Sequence, residues 1–208
     1  MPARAEYIWQ FPKDHVIQSR NSKGAQMTGR LTRHIVLIGM MGAGKTAIGT
    51  ELARRLRVPF TDSDIEIEAA AAMTITEIFA RDGEAFFRAR EAQVLARLLA
   101  GPAGVISTGG GAWMQPGNRD LIGASGMSVW LNCDPELLWQ RVRQRQTRPL
   151  LQTADPKGTL LRLLAERSPV YATAEVEFVS RAGDSIESSA LRLIAQLRAT
   201  DPGLMKEA

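Results

Sequence analysis

The sequence has a single cysteine, and this shortage excludes a framework of disulfides. Cys133 cannot form an intrachain disulfide, which favours a reducing compartment, and we expect a cytoplasmic protein. The residue ends a strand-like run in VWLNCDP, so we expect a buried structural thiol rather than a nucleophile. Histidine is also rare, and His15 and His34 are too far apart in the sequence to indicate a metal site.

Long hydrophobic runs and internal repeats are absent from the sequence as well. No stretch reaches the roughly 20 apolar residues that span a bilayer, so we expect no membrane anchor. Aromatic residues make up only 6% of the chain. The hydrophobic content of 45% over 208 residues is nevertheless enough for one globular domain with a core of aliphatic side chains.

Charge of one sign does not dominate, because the formal net charge is only +4, and this alone does not imply a nucleic-acid partner. Among the basic residues Arg far outnumbers Lys. Arg suits planar, bidentate recognition of phosphate and carboxylate, so an anionic small molecule is the favoured ligand. We expect a monomer that binds neither nucleic acid nor a membrane.

Residues 1–33 differ in pattern from the rest of the chain. They contain six basic and two acidic residues and show no sustained helical or strand period. A flexible basic leader is the favoured interpretation, with an organelle transit peptide or a translation start at Met27 as alternatives. The remainder is expected to form one domain over residues 34–200, followed by a tail at 201–208.

Apolar runs separated by helical patterns predict an α/β fold from residue 34 onward. The runs predicted as strands are HIVLIG, VPFTD, GVIST, MSVWLN and EVEFV. Strands separated by helices favour a five-stranded parallel sheet flanked by helices on both faces. In such sheets ligands bind at the carboxyl ends of the strands, so we expect the functional residues there.

Helical spacing between these runs predicts seven helices. Asp134 and Pro135 are suited to the N-cap and first turn of one of them. Another is expected to stop near Pro169, because proline cannot continue the hydrogen-bonding pattern. The predicted helices are KTAIGTELARRL, residues 64–72, 74–82, 84–100 and about 135–145, PKGTLLRLLAERSPVY, and residues 184–199.

The segment GMMGAGKT follows an apolar strand, opens a helix and fits the G-x-x-x-x-G-K-[ST] pattern in full. Lys45 can reach the β- and γ-phosphates of a nucleotide, and the Thr46 hydroxyl can ligate Mg²⁺. Flexible glycine backbone lets N–H groups face phosphate oxygens at a helix N-terminus. The glycines concerned are Gly39, Gly42 and Gly44. The segment therefore predicts a site for a nucleoside triphosphate.

Asp62 and Asp64 stand two positions apart at the end of the run VPFTD. In an extended chain they would point to the same face, side by side. One carboxylate can support Mg²⁺, and the other can orient or deprotonate a hydroxyl for attack on the γ-phosphate. The alternative is that the second aspartate only caps the helix that follows.

Several arginines are candidates for binding anionic groups. Arg88, in GEAFFRARE, could bind a ligand or form a solvated row of ion pairs with Glu84 and Glu91. Arg167, in AERSPVY, could equally interact with the dipole of its own helix. The segment RVRQRQTRPLL suits a mobile flap over a transferring phosphate better than a nucleic-acid patch, because no aromatic residues are interleaved for stacking. Its arginines are Arg141, Arg143, Arg145 and Arg148.

The ordered set of motifs resembles shikimate kinase. The motifs are GMMGAGKT, FTDSDIEIE, GEAFFRARE, STGGGA, TRPLL and RSPVY, at compatible separations over roughly residues 34–180. The resemblance implies a P-loop kinase fold with a lid at about residues 144–158. It also implies an enzyme that uses ATP and Mg²⁺ to phosphorylate the 3-hydroxyl of shikimate, in the synthesis of chorismate and aromatic amino acids.

The resemblance implies a role for each matching residue. Asp64 would hold the shikimate hydroxyls and act as the base, with Lys45 and Arg148 as the other catalytic residues. Thr46 and Asp62 would serve Mg²⁺, Arg141 would lie against the adenine, and Arg148 would close from the lid. The residues implied for ATP are Gly42, Ala43, Gly44, Lys45, Thr46, Ala47, Arg141 and Arg148. The residues implied for shikimate are Asp64, Arg88, Gly109, Gly110, Gly111 and Arg167, with both arginines on the carboxylate.

The sequence leaves two other functions open. A sugar-acid kinase of the gluconate type would also need Arg for a carboxylate. A non-catalytic ligand sensor is disfavoured, because every group that phosphoryl transfer needs is present. The family often has Gly where this chain has Ala72, and we expect the helix to run on there rather than to adopt a positive φ.

Overall fold

The computed structural model describes residues 30–143, 151 and 153–206. Within these ranges five parallel strands form one sheet, in the order Phe60–Asp62, Val105–Ser107, His34–Ile38, Gly126–Asn132 and Val176–Val179. The predicted parallel sheet is confirmed, and each strand matches one of the apolar runs in the sequence. The strands are β2 (His34–Ile38), β3 (Phe60–Asp62), β4 (Val105–Ser107), β5 (Gly126–Asn132) and β6 (Val176–Val179).

Seven α-helices surround the sheet in the described part of the chain. They are α1 (Lys45–Leu56), α2 (Ser63–Ala71), α3 (Ile75–Leu99), α4 (Pro116–Ser125), α5 (Pro135–Val142), α6 (Pro156–Tyr171) and α7 (Ile186–Thr200). Helix α1 packs against α7, whereas α3 packs against α4, as expected when helices cover both faces of a parallel sheet. None of these described helices has both the length and the apolar composition needed to cross a membrane.

The central strand β2 is buried at every position, which is why its sequence is apolar without alternation. Helix α5 begins as predicted: Asp134 is the N-cap, its Oδ1 accepts from the N–H groups of Glu136 and Leu137, and Pro135 occupies the first turn. A capping box between Thr74 and Glu77 starts α3 in the same way.

Helix α3 is interrupted at Gly83, where φ is 81° and ψ is 175°. The sequence prediction of two helices on either side of residue 83 therefore describes the backbone well. A second apolar cluster lies between α2 and the two halves of α3, separate from the main core around the sheet. Its buried members are Ile67, Ile78, Phe87 and Val94.

Helix α2 ends at Ala71, and Ala72 adopts a left-handed conformation with φ 49° and ψ 35°. The expectation that the helix runs on is wrong. The N–H groups of Ala72 and Met73 bond back to the carbonyls of Ala69 and Glu68, which closes the helix as a glycine usually does. A residue with a side chain is strained in this conformation.

Two helical segments are missing from the sequence prediction, whereas α6 agrees with it. Helix α4 and a short 3₁₀ turn, Ala112–Met114, were not predicted between the glycine run and β5. Helix α6 is the predicted run PKGTLLRLLAERSPVY and ends at Tyr171, two residues after Pro169. Pro169 removes one N–H group only, and the last turn is still closed by the bond from the N–H of Ala172 to the carbonyl of Ser168.

A short antiparallel pair joins the two ends of the described fold. Strand β1 (Arg30–Leu31) pairs with β7 (Met205–Lys206), and Arg33 forms ion pairs with Glu175 and Asp201 at 3.0 and 3.3 Å. The last four residues of the predicted leader and most of the predicted tail thus belong to the folded unit. Residues 1–29 lie outside the described part of the chain.

Candidate active site

The candidate site lies at the carboxyl ends of β2, β3 and β4, where the parallel fold was expected to place it. The loop after β2 leads into α1, β3 ends at Asp62, and the run Gly109–Gly111 follows β4. A Cβ atom placed on Gly110 would lie 3.6 Å from both the Gly39 carbonyl oxygen and the Met41 nitrogen. The two glycine-rich segments are therefore in direct contact.

The loop between β2 and α1, called the P-loop below, has the backbone that the sequence predicts. Gly39, Gly42 and Gly44 have φ values of 133°, 82° and 95°, which side chains rarely permit. Gly44 is the N-cap of α1 and provides no side-chain cap. Because the first N–H groups of a helix lack partners within it, this end of α1 suits a phosphate. Of the two alanines predicted to contact ATP, Ala43 is buried and Ala47 is exposed.

Lys45 and Thr46 occupy the first turn of α1. The Lys45 ammonium donates to the carbonyls of Gly39 and Met40 at 2.8 and 3.0 Å, which holds it across the P-loop. The Thr46 hydroxyl donates to Asp62 Oδ2 over 2.9 Å, so the end of β3 lies directly beside the P-loop.

The residues beside the P-loop suit a Mg²⁺ ion. Thr46 and Asp62 offer hydroxyl and carboxylate oxygens, and Mg²⁺ prefers oxygen ligands. The described residues contain no cluster of three or more His, Cys, Asp or Glu that could hold a metal ion. A nucleotide-bound Mg²⁺ keeps several waters and takes other ligands from phosphates, so few protein oxygens are needed to support it.

Asp62 and Asp64 do not lie side by side on a strand. Strand β3 ends at Asp62 and α2 begins at Ser63, so the extended geometry expected for residues 62–64 is wrong. Asp62 is the N-cap of α2: its Oδ1 accepts from the Asp64 N–H at 3.1 Å, while its Oδ2 accepts from Thr46. The capping role considered for Asp64 thus belongs to Asp62, and the two carboxylates face different groups.

The run Gly109–Gly111 accommodates the side chains of two other elements. A Cβ on Gly109 would lie 2.6 Å from Asp64 Oδ1, and a Cβ on Gly111 would lie 2.6 Å from Arg88 Nη2. Neither glycine has a positive φ, so space, rather than backbone conformation, requires glycine here. The run brings together a carboxylate from α2 and a guanidinium from α3.

Arg88 is held between two glutamates of α3. Its Nη1 donates to Glu91 Oε2 at 2.9 Å, and its Nη2 donates to Glu84 Oε1 at 3.1 Å. The Glu91 side chain is only 1% exposed, so the solvated row of ion pairs considered from the sequence is wrong for Glu91. Burial raises the pKa of Glu91, the Arg88 guanidinium opposes that rise, and the nearby Asp64 carboxylate adds to it.

Sequence reasoning did not assign a functional role to Glu91. The structure places its carboxylate against both Arg88 and Gly109, where it fixes the direction of the guanidinium. The three-residue spacing of Arg88 and Glu91 on a helix was the only signal in the sequence. It could not separate a buried partner from an exposed one.

Arg167 reaches the glycine run from α6. Its Nη1 donates to the Gly110 carbonyl at 3.2 Å, so it does not bond to the carbonyls at the end of its own helix through this group. The Tyr171 hydroxyl donates to the same carbonyl. Arg88 and Arg167 thus approach Gly109–Gly111 from α3 and α6.

Arg141 lies on the other side of the P-loop, in α5. Its Nη1 donates to the Gly42 carbonyl at 3.2 Å and to Cys133 Sγ at 3.6 Å. Cys133 is buried, as expected for a structural thiol, and burial raises its pKa. Arg148 and the predicted lid up to residue 150 lie outside the described residues.

Comparison with known proteins identifies the family. The family model for shikimate kinase matches residues 41–198. The chain belongs to the shikimate kinase family. A shikimate kinase of Cereibacter sphaeroides is 55% identical over 183 residues, which cover 88% of this chain and 91% of that protein. The expected activity is therefore confirmed: the kinase uses ATP with Mg²⁺ to phosphorylate shikimate.

The kinase also resembles solved structures. A shikimate kinase from Acinetobacter baumannii in complex with shikimate has a TM-score of 0.77 and 38% identity, and the match covers 81% of this chain and 94% of that one. A gluconokinase from Sinorhizobium meliloti has a TM-score of 0.53 and only 18% identity, over 81% of this chain and 94% of that one. The second likeness shows the fold alone, so the gluconate alternative is not favoured.

Proposed function

We propose that ATP and shikimate bind side by side in the cleft between the P-loop and the run Gly109–Gly111. The observation that supports this arrangement is the closeness of Gly110 to the start of the P-loop: a Cβ placed on Gly110 would lie 3.6 Å from the Gly39 carbonyl oxygen. A phosphate at the N-terminus of α1 and an acid at the glycine run would then be adjacent. Phosphoryl transfer depends mainly on holding the phosphate and the acceptor close together, because the protein itself forms no covalent bond to either.

On the nucleotide side, we propose that the P-loop N–H groups and Lys45 bind the phosphates, while Arg141 lies against the adenine. Thr46 and Asp62 would hold the Mg²⁺ ion, which neutralises charge on the phosphate oxygens when bound. Lys45 now bonds to the P-loop carbonyls, and it would exchange them for phosphate oxygens. Gly42, Ala43, Gly44 and Ala47 complete the proposed nucleotide site.

On the acceptor side, we propose that Asp64 accepts the proton of the 3-hydroxyl of shikimate. The oxygen of that hydroxyl then forms a bond to the γ-phosphorus of ATP while the bond to the leaving ADP breaks. Asp64 lies against Gly109 in the same cleft, which supports this role. Arg88 and Arg167 would bind the carboxylate, since two guanidinium groups suit one planar anion. Gly110 would contribute its backbone.

Oligomeric state and location complete the proposal. We propose a monomer, because one chain supplies both the nucleotide and the acceptor groups, and light scattering would test this. We propose a cytoplasmic location, supported by the single, unbridged thiol of Cys133. Arg148 lies outside the described residues, and its closure over the phosphates stays a prediction.

A coupled assay of ADP release tests the proposed site. Arg88→Lys and Arg167→Lys should each raise KM for shikimate by about tenfold and leave KM for ATP nearly unchanged, because lysine cannot reproduce a bidentate clamp. Gluconate in place of shikimate serves as the control acceptor. Faster turnover with gluconate, or a rise in KM confined to ATP, would contradict the proposed arrangement.

A further inference from the structure

Tyr171 is fully buried at the end of α6, yet it carries a polar group that a core residue does not need. Its hydroxyl donates to the carbonyl of Gly110 and also lies 3.8 Å from the sulfur of Met40. Burial raises the pKa of this hydroxyl, so it remains a donor at neutral pH. Tyr171 is not among the residues proposed to contact either substrate.

The Gly110 carbonyl receives two donors at once. Arg167 Nη1 approaches it at 3.2 Å, and the Tyr171 hydroxyl approaches it from the same helix, one turn later. A guanidinium has five N–H donors, so one bond to Gly110 leaves others for a ligand. If the hydroxyl were absent, Arg167 would be the remaining side-chain donor to the Gly110 carbonyl.

The ring of Tyr171 extends this contact towards the nucleotide side. It stacks on Trp130, with ring centroids 6.0 Å apart and planes at 25°. Trp130 in turn lies 3.3 Å from the position of a Cβ on Gly39, at the start of the P-loop. The ring therefore supports the loop by packing, whereas the hydroxyl acts on the glycine run.

We propose that the Tyr171 hydroxyl is a positioning group for the acid: it fixes the Gly110 carbonyl so that Arg167 can turn its remaining N–H groups to the carboxylate. This inference rests on the proposed binding of shikimate at Gly109–Gly111. It assigns the two parts of Tyr171 to different tasks. The phenyl ring fills the core, and the hydroxyl serves substrate affinity.

Tyr171→Phe tests the inference, because it removes the hydroxyl and keeps the ring against Trp130. We expect KM for shikimate to rise about tenfold with kcat and KM for ATP changed less than about threefold, since one hydrogen bond is lost at the acid site. Ser128→Ala is the matched control. Ser128 lies in strand β5, and the variant removes a buried hydroxyl that accepts from the Glu175 N–H. Melting temperatures and circular dichroism of both variants verify the fold.

Combining Tyr171→Phe with Arg167→Lys distinguishes a positioning role of the hydroxyl from a role in core packing alone. Because Tyr171 and Arg167 share one carbonyl, the effects of Tyr171→Phe and Arg167→Lys on KM for shikimate should be less than additive. The effects of Tyr171→Phe and Ser128→Ala should add. Additive effects in the first pair would overturn the inference.

The single variants separate this inference from the proposed function. If Arg88→Lys and Arg167→Lys raise KM for shikimate while Tyr171→Phe leaves it unchanged, only the inference fails. If Tyr171→Phe raises KM for shikimate and KM for ATP by similar factors, Tyr171 acts only as a core residue. That result would also overturn the inference. If neither lysine variant affects shikimate, the proposed acid site itself is wrong.

Discussion

Gly111 shows how a single hydrogen atom in place of a side chain makes room for a charged group. The Arg88 guanidinium occupies the space that a methyl group would fill, at 2.6 Å from the Cβ position. A guanidinium at the end of a long side chain can move aside, so a methyl group there would displace Arg88 without disrupting the core. The cost would then fall on binding and, through the weakened Arg88–Glu91 pair, on stability as well.

Gly111→Ala is therefore expected to raise KM for shikimate by about tenfold, because an ångström-scale displacement of a binding group is costly. Steady-state kinetics with each substrate varied in turn measures it. Gly117→Ala is the control, since a Cβ on Gly117 meets nothing within 4 Å. Equal KM values for the two variants would mean that Arg88 does not bind the acid.

Asp64→Asn tests the division of work between the two aspartates. We expect kcat to fall by about 100-fold or more, as for loss of a general base, with little change in KM for ATP. Asp62→Asn should instead raise the Mg²⁺ concentration needed for half-maximal rate, because Asp62 Oδ2 faces Thr46. Asparagine also caps helices, so α2 should remain folded in the second variant. An unchanged kcat in Asp64→Asn would leave Asp64 without a catalytic role.

At the scale of elements, periodicity predicted the strands and most helices because buried parallel strands are continuously apolar. Helix α4 escaped prediction for a physical reason. Its sequence PGNRDLIGAS contains two glycines in ten residues, which lowers helix propensity. Packing against α3 and β5 stabilises it, and such contacts do not show in a local pattern.

The end of α2 gives a prediction at the same scale. Ala72 is exposed and left-handed, so Ala72→Gly should stabilise the kinase by about 0.5–1 kcal/mol, after allowance for the greater entropy of glycine in the unfolded chain. Urea unfolding measures the difference. Ala69→Gly, an exposed right-handed position in the same helix, should destabilise by about 1 kcal/mol. Destabilisation by both variants would refute strain at Ala72.

At the scale of the whole molecule, the motifs predicted which segments meet but not how they meet. Each motif carries its own chemistry, so the P-loop and the residues proposed for the acceptor could be named from the sequence. The Gly110 carbonyl and the Tyr171 hydroxyl are 61 residues apart, and no local pattern indicates their contact. The burial of Glu91 likewise depends on the packing of α3 against the glycine run.

The dependence of stability on pH is also a property of the whole fold. His34 is buried at the start of β2, its Nδ1 accepts from the Gly104 N–H, and burial lowers its pKa below 6.5. The unfolded chain then binds a proton more readily, so stability is complete above about pH 6.5 and falls as the pH drops through the folded pKa. Glu51 and Glu77 have lowered pKa values, and the stability that they contribute is lost only below about pH 4.5.

His34→Gln should therefore flatten the loss of stability as the pH falls below about 6.5. The slope for one proton is at most about 1.4 kcal/mol per pH unit, and urea unfolding at several pH values would resolve it. Wild-type protein in the same buffers is the reference. An identical slope in the variant would show that another group governs this range.

The pairing of β1 with β7 places Arg30 opposite Lys206, so the first and last strands of the described fold run side by side. Chain connectivity could therefore be rearranged without moving any group of the cleft. A circularly permuted enzyme, with a short linker between these two strands and new termini at the exposed turn around Gly183, should retain its kinetic constants.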